Sequence, residues 1–194
     1  VLLGLSAVFV VVALIVVLSW RSTYNDLNNG INTVYEKADN VGATVKRRAD
    51  LIPNLVAVVK GYAEHEKGTF TAVTEARAKV GQVNINAAAT DPEQMRKFAE
   101  AQGELSSAIS RLLLVQEKYP DLKANENFKD LQSQLEGTEN RINEARQRYN
   151  KAVKDYNTLC GGFFSQLVAS FHNFKKAERL EVSETDKTTP KVEF

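Results

Sequence analysis

The stretch FKDLQSQLEGTENRINEARQRYNKAVKDYNTL, residues 128–159, places Phe128, Leu131, Leu135, Thr138, Ile142, Ala145, Tyr149, Ala152, Tyr156 and Leu159 at alternating steps of three and four. That spacing keeps one face of an α-helix in register over about nine turns. Gly161-Gly162 supplies a stop. Upstream, Met95, Phe98, Gln102, Leu105, Ile109, Leu112, Gln116 and Tyr119 form a second seam of the same kind, opened by Asp91-Pro92 and closed by Pro120. Residues 81–90, with Asn84 and Asn86, read as a loop, and residues 121–127 as a connection.

Nearer the N-terminus, Tyr24, Leu27, Ile31, Val34, Ala38, Val41 and Val45 make a further seam. It resumes as Ile52, Leu55, Val59, Tyr62, Thr69, Val73, Ala76 and Val80, with Glu66 in line. No alternating β-branched run bounded by turns competes with these patterns. The fold class expected is all-α: an N-terminal transmembrane helix, then a long antiparallel four-helix bundle with coiled-coil-like packing over residues 21–160. One boundary has two readings, because the seam passes through Val45, Arg48 and Ile52 without losing phase. Asp50 caps a new helix with Pro53 in its first turn, giving four bundle helices, or Pro53 kinks one long helix, giving three. The four-helix reading is preferred.

Residues 1–18 carry no charge, and with Ser19 and Trp20 the run of 20 residues reaches ~30 Å as a helix, the thickness of a bilayer's hydrocarbon core. It is longer than the apolar core of a signal peptide and lacks a small-x-small cleavage pattern, so it reads as a retained signal anchor. Trp20 and Arg21 mark the exit from the membrane as an interfacial aromatic and a snorkelling cation. Val1 is not an initiator methionine, and preceding residues, with the charges that set orientation, are expected. The 194 residues leave room for the anchor and one domain. Lys and Arg number 25 against 24 Asp and Glu, without a block of one sign, so nucleic acid is discounted as a partner. One cysteine, Cys160, forms no intramolecular disulfide, and two histidines do not make a zinc site of the usual kind.

Chemistry has few footholds. Glu64-His65-Glu66 is the cluster closest to a catalytic one, but neighbours on a helix point apart and a zincin needs a second His where Thr69 stands. Glu136, Glu139 and Glu144 lack the Glu-x-x-His partner of a carboxylate-bridged metal pair, and Cys160 reads as an inert thiol. Arg47 and Asp50, three apart, are expected to pair on one helix face, with Leu51, Ile52 and Leu55 buried and Asn54 offering polar atoms to a neighbour. Gly61 and Gly68, seven apart, suggest close approach of another helix, each at ~1 kcal/mol relative to Ala. Gln102 and Gln116 sit inside a seam, where polar residues fix register.

The segment after the bundle, residues 161–176, holds Phe163, Phe164, Leu167, Val168, Phe171 and Phe174. It is too short to span a bilayer but suited to lie in the interface beside Trp20. In an up-down bundle the end near Leu159 returns to the membrane, and helices continuous through Pro53 are expected to reverse that parity. Residues 177–194 read as a charged tail, poorly ordered after Phe174.

Several stretches resemble the LemA family of bacterial membrane proteins. They are Arg47-Arg48-Ala49-Asp50-Leu51-Ile52-Pro53-Asn54-Leu55-Val56, Val59-Lys60-Gly61-Tyr62-Ala63, His65-Glu66, Tyr119-Pro120-Asp121-Leu122-Lys123, residues 134–142 and the terminal Pro190-Lys191-Val192-Glu193-Phe194. The resemblance implies an N-terminal anchor, an antiparallel four-helix bundle and no established enzymatic activity. Lipoprotein relatives imply a bundle outside the cytoplasm, on the bacterial inner membrane. The reading is a membrane-anchored scaffold or adaptor of the envelope, without catalytic residues, cofactor or metal. Its partners are membrane lipid, further copies of itself and other envelope proteins. Its candidate interaction residues are Arg47, Arg48, Asp50, Pro53, Asn54, Lys60, Gly61, Tyr62, His65, Glu66 and Gly68, and its membrane-interface candidates Trp20, Phe163, Phe164, Leu167, Phe171 and Phe174. The alternatives are a metal-dependent hydrolase centred on His65 and Glu66, and an envelope sensor component.

Overall fold

The computed structural model describes residues 2–181, with side chains from Val8 onward. Within them the chain is all-α and without strands, as its periodicity implies. Helix α1 runs over Leu2–Lys60 as one 59-residue element. Then come α2 (Lys67–Val80), α3 (Ile85–Ala88), α4 (Pro92–Leu114), a 3-10 turn (Val115–Lys118), α5 (Pro120–Ala124), α6 (Glu126–Cys160) and α7 (Phe163–Phe171). The apolar part of α1 stands clear of the rest. Its large side chains from Val8 to Leu18 are 50–74% exposed, and α1 alone among the described helices is long and apolar enough to cross a membrane.

From Leu27 onward α1 becomes a bundle helix. Leu27, Ile31, Val34, Ala38, Val41 and Val45 are buried, largely against α6, which returns antiparallel along it. The register is fixed at both ends. Asn125 donates to the Tyr62 hydroxyl at 2.9 Å at the far end, and Gly30 lies against Tyr156 at the near one. A Cβ on Gly30 would stand 3.0 Å from the Tyr156 ring, so glycine is what lets α1 and α6 approach here. Helices α2 and α4 pack on each other and complete the core, with α3 wedged between α1 and α4. Asp91 caps α4 through the amides of Glu93 and Gln94 at 3.0 and 3.1 Å, with Pro92 at the first helical position.

The expected break at Asp50–Pro53 does not occur. The chain turns at residues 61–66, so four antiparallel passes remain and the parity is kept although α1 is continuous through Pro53. Proline lacks the N–H that would reach back to the Ala49 carbonyl, which ordinarily breaks a helix. Here Arg77 of α2 donates its Nε to that same carbonyl at 2.9 Å, replacing the missing donor from outside the helix. Pro53 itself faces solvent, where its ring displaces nothing. Arg77→Ala should therefore cost about 1–3 kcal/mol, the loss on leaving a buried acceptor unpaired. In a Pro53→Ala background, where residue 53 regains its own N–H, the same substitution should cost under about 0.5 kcal/mol. Equal costs in the two backgrounds, read by chemical denaturation of the four proteins, would refute this repair.

The glycine pair is a second correction. Gly61 lies in the turn after α1 and Gly68 in the first turn of α2, with open space where its Cβ would be, so the two share no helix face. Seams also drift, because 3.6 residues per turn does not divide seven. In α6, Val153 and Cys160 are buried where the seam names Ala152 and Leu159, and Leu159 is 42% exposed. Residues 175–181, part of them expected to form a loose tail, instead pack along the bundle, with Ala177 and Leu180 buried. Residues 182–194, including the terminal Pro190-Lys191-Val192-Glu193-Phe194, lie outside the described residues.

Candidate functional site

The most elaborate polar constellation is built around Arg48. Its position on α1 falls on the inward face between Val45 and Ile52, so helical geometry takes a guanidinium into the core, where it is 3% exposed. Gln102 and Ser106, one turn apart on α4, and Glu139 on α6 receive it. Arg48 donates to the Ser106 hydroxyl at 3.0 Å, to the Glu139 carboxylate and to the Gln102 side-chain carbonyl. One side chain thus ties three helices together. Glu139 is 46% exposed and keeps contact with water, so the pair is neutralised without burying both charges. The Arg48 Nε and Gln102 Nε2 lack partners among the described residues and border a cavity of about 50 Å³.

The other candidate interaction residues of α1 point outward. Arg47, Asp50, Pro53, Asn54 and Lys60 are all exposed on α1. The expected Arg47–Asp50 pair is absent. Asp50 instead approaches Arg77 at 3.9 Å, and among the described residues Asn54 makes no side-chain hydrogen bond to a neighbour. Between this face, α2 and α3 lies a groove of about 600 Å³ lined by Asp39, Lys46, Asp50, Arg77 and Ile85, among others. At the far tip His65 is exposed in the turn, and the half-buried Glu66 approaches Lys118 at 3.6 Å. His65 and Glu66 gather no third ligand, and no cluster of three His, Cys, Asp or Glu suited to a metal occurs among the described residues. Tyr62 is partly exposed beside them.

At the opposite end, α7 folds against Trp20. The indole stands edge-on to Phe164 and Phe171 at 6.0 and 5.6 Å between ring centres, and its Nε1 donates to His172 Nε2 at 3.3 Å. Phe174 packs on Tyr24. Beyond it, residues 175–181 run back up α6 as an extended strap held by a repeated device. Asn157 exchanges two hydrogen bonds of 2.8 Å with the backbone of Ala177, and Asn150 two of 2.9 Å with that of Leu180. Tyr156 and Tyr149 donate their hydroxyls to the carbonyls of Lys175 and Glu178 at 2.9 and 2.7 Å. Burial pushes both phenols well above their ordinary pKa, so they stay donors throughout the physiological range.

A family model described as "LemA family" matches residues 37–194, most of the chain. The chain belongs to the LemA family. Among its relatives, Magnetosome protein MamQ 2 of Paramagnetospirillum magneticum is 26% identical over 196 residues, covering 90% of this chain and 70% of that protein. Protein LemA of Metamycoplasma hominis is 22% identical over 163 residues, covering 84% of this chain and 71% of its own length. Magnetosome protein MamQ of Magnetospirillum gryphiswaldense is 23% identical, covering 84% and 69%. Family membership, these names and the apolar N-terminal helix suggest a membrane-associated helical protein.

The LemA match begins within α1 at residue 37, so it takes in Arg48, the outward signature face, the tip, α7 and the strap, and leaves the anchor and Trp20 outside. Two features of this LemA chain lay beyond the sequence reading. The seam runs through Arg48 in phase between Val45 and Ile52, but its partners Gln102, Ser106 and Glu139 stand on other helices. The strap had a plainer signal, the dipeptide Tyr-Asn at 149–150 and again at 156–157, one heptad apart and hence on one face.

Proposed function

We propose that this LemA chain is a non-catalytic scaffold or adaptor, mounted on the bacterial inner membrane with its bundle outside the cytoplasm. The observation that carries the reading is α1 itself. No joint separates the apolar segment from the bundle, so the part of α1 beyond Trp20 forms the spine of a rod about 60 Å long at 1.5 Å per residue. Such a rod holds its tip and sides at fixed distances from the bilayer. Arg47, Asp50, Pro53, Asn54 and Lys60 then face outward on the spine, engaged little or not at all by the bundle, and form the docking face of this reading. Copies of the chain meet through outward faces or the anchor, because the seam from Leu27 to Val45 is filled by α6 in the same chain.

A photo-crosslinking residue at Asn54, introduced into the full chain in native membranes, should yield discrete adducts containing envelope proteins or a second copy. The same residue at Lys129 should not. Indistinguishable adducts from the two positions would remove the docking face. In the same cells a thiol introduced at exposed Lys123 should react with an impermeant reagent before permeabilisation, and reaction only afterwards would reverse the topology.

A further inference from the structure

We propose that α7 is a second membrane contact of this chain, with Phe163, Leu167 and Phe171 seated in the interfacial layer of the bilayer that α1 crosses. The inference rests on the anchor reading of α1. Phe163, Leu167 and Phe171 recur every four residues and therefore form one stripe along α7. They are 87%, 53% and 76% exposed, the largest apolar display outside the anchor among the described residues. The other sides of α7 are already occupied, since Val168 and Ala169 are buried and Phe164, beside the stripe, packs together with the edge of Phe171 on Trp20. Among the described residues the stripe stays largely uncovered.

Its position names the occupant. Trp20 ends the apolar run of α1, and its edge-on contacts with Phe164 and Phe171 hold α7 at that level. Apolar surface is thus continuous from Val8–Leu18 onto the stripe. A nine-residue helix reaches only about 13 Å and cannot span, so it lies along the interface. Residues 161–174 contain no Asp, Glu, Lys or Arg, whereas Arg21, Lys175 and Lys176 are exposed next to the aromatic cluster, where cations meet anionic headgroups. The stripe is also held in place. The chain enters α7 straight from the end of α6, and it leaves into the strap that Tyr156 and Asn157 clamp. A single membrane helix leaves tilt and rotation to its surroundings. A contact beside its axis fixes both, and so orients the rod.

The test uses the full chain with Cys160→Ala, at one copy per lipid disc of phosphatidylcholine and phosphatidylglycerol. An environment-sensitive dye is attached at Leu167→Cys, Val12→Cys or Lys129→Cys. At Leu167 a blue-shifted emission is expected, quenched by lipids carrying a shallow spin label and resistant to aqueous iodide. At Val12 the deep spin label should quench, and at Lys129 iodide alone. Lipid quenching at Val12 with iodide quenching at Leu167 would overturn the α7 contact and leave the anchor standing. Iodide quenching at Val12 would overturn the anchor reading itself. A Leu167 dye shielded from iodide only when discs hold several copies would assign the stripe to a second copy and overturn the lipid assignment.

Discussion

Replacing Arg48 by alanine is expected to lower the unfolding free energy of the bundle by about 3–5 kcal/mol, the cost of removing one partner from a buried, hydrogen-bonded ionic group. The truncation leaves Gln102, Ser106 and Glu139 without their common donor and opens a cavity among three helices. Arg48→Lys should recover only part of the loss, because an ammonium lacks the planar fork that reaches partners on two other helices together. The triple replacement Arg48→Met, Gln102→Leu, Glu139→Gln should come closer to the parent than Arg48→Ala does. It removes the buried guanidinium and the Gln102 amide together, leaves at 139 a neutral amide that water can reach, and keeps the volume of the arginine stem filled. Denaturant unfolding of the full chain in detergent, followed by circular dichroism, gives the comparison. An Arg48→Ala protein within 0.5 kcal/mol of the parent, on the order of ordinary surface changes, would show that the three-helix junction contributes little.

The second large effect separates two leucines of α6 that one seam treats alike. Leu135→Ala should cost about 2–5 kcal/mol as a core deletion, because its side chain is only 4% exposed. Leu159→Ala should cost about 0.5 kcal/mol or less, close to changes at Lys129 or Lys151 on the outer face. If the two leucine variants unfold alike, the position of α6 against α1 at its membrane-proximal end is wrong. That end also carries the Gly30–Tyr156 approach, so Gly30→Leu in parallel reports on the same contact from the other side.

A good share of the architecture was legible in residue order because helix formation and its punctuation are local. Three- and four-residue steps named Leu27, Val34, Val41, Ile52, Leu55, Leu105, Leu112, Leu135 and Ile142 as core, and all are buried. Asp91-Pro92 opened α4 and Gly161-Gly162 closed α6, since a cap or a glycine acts within one turn of itself. The uncharged run before Trp20 announced the helix able to cross a membrane. What residue order left open depended on groups far away in the chain. Pro53 breaks a helix unless a donor from elsewhere meets the Ala49 carbonyl, and that donor, Arg77, lies 24 residues further on and belongs to another helix. The burial of Arg48 required Gln102, Ser106 and Glu139 to converge from α4 and α6, 54 to 91 residues away. The strap after Phe174 is largely polar and lacks periodicity of its own, and what orders it comes from elsewhere: the Asn and Tyr side chains of α6, the Ala89 carbonyl that accepts from the Glu178 N–H, and the core that buries Ala177 and Leu180. Local spacing determined which segments are helices and which faces are apolar. Where the chain turns, which charge enters the core and what holds its last described residues were decided by hydrogen-bond partners that tertiary packing alone brings within 3 Å or so.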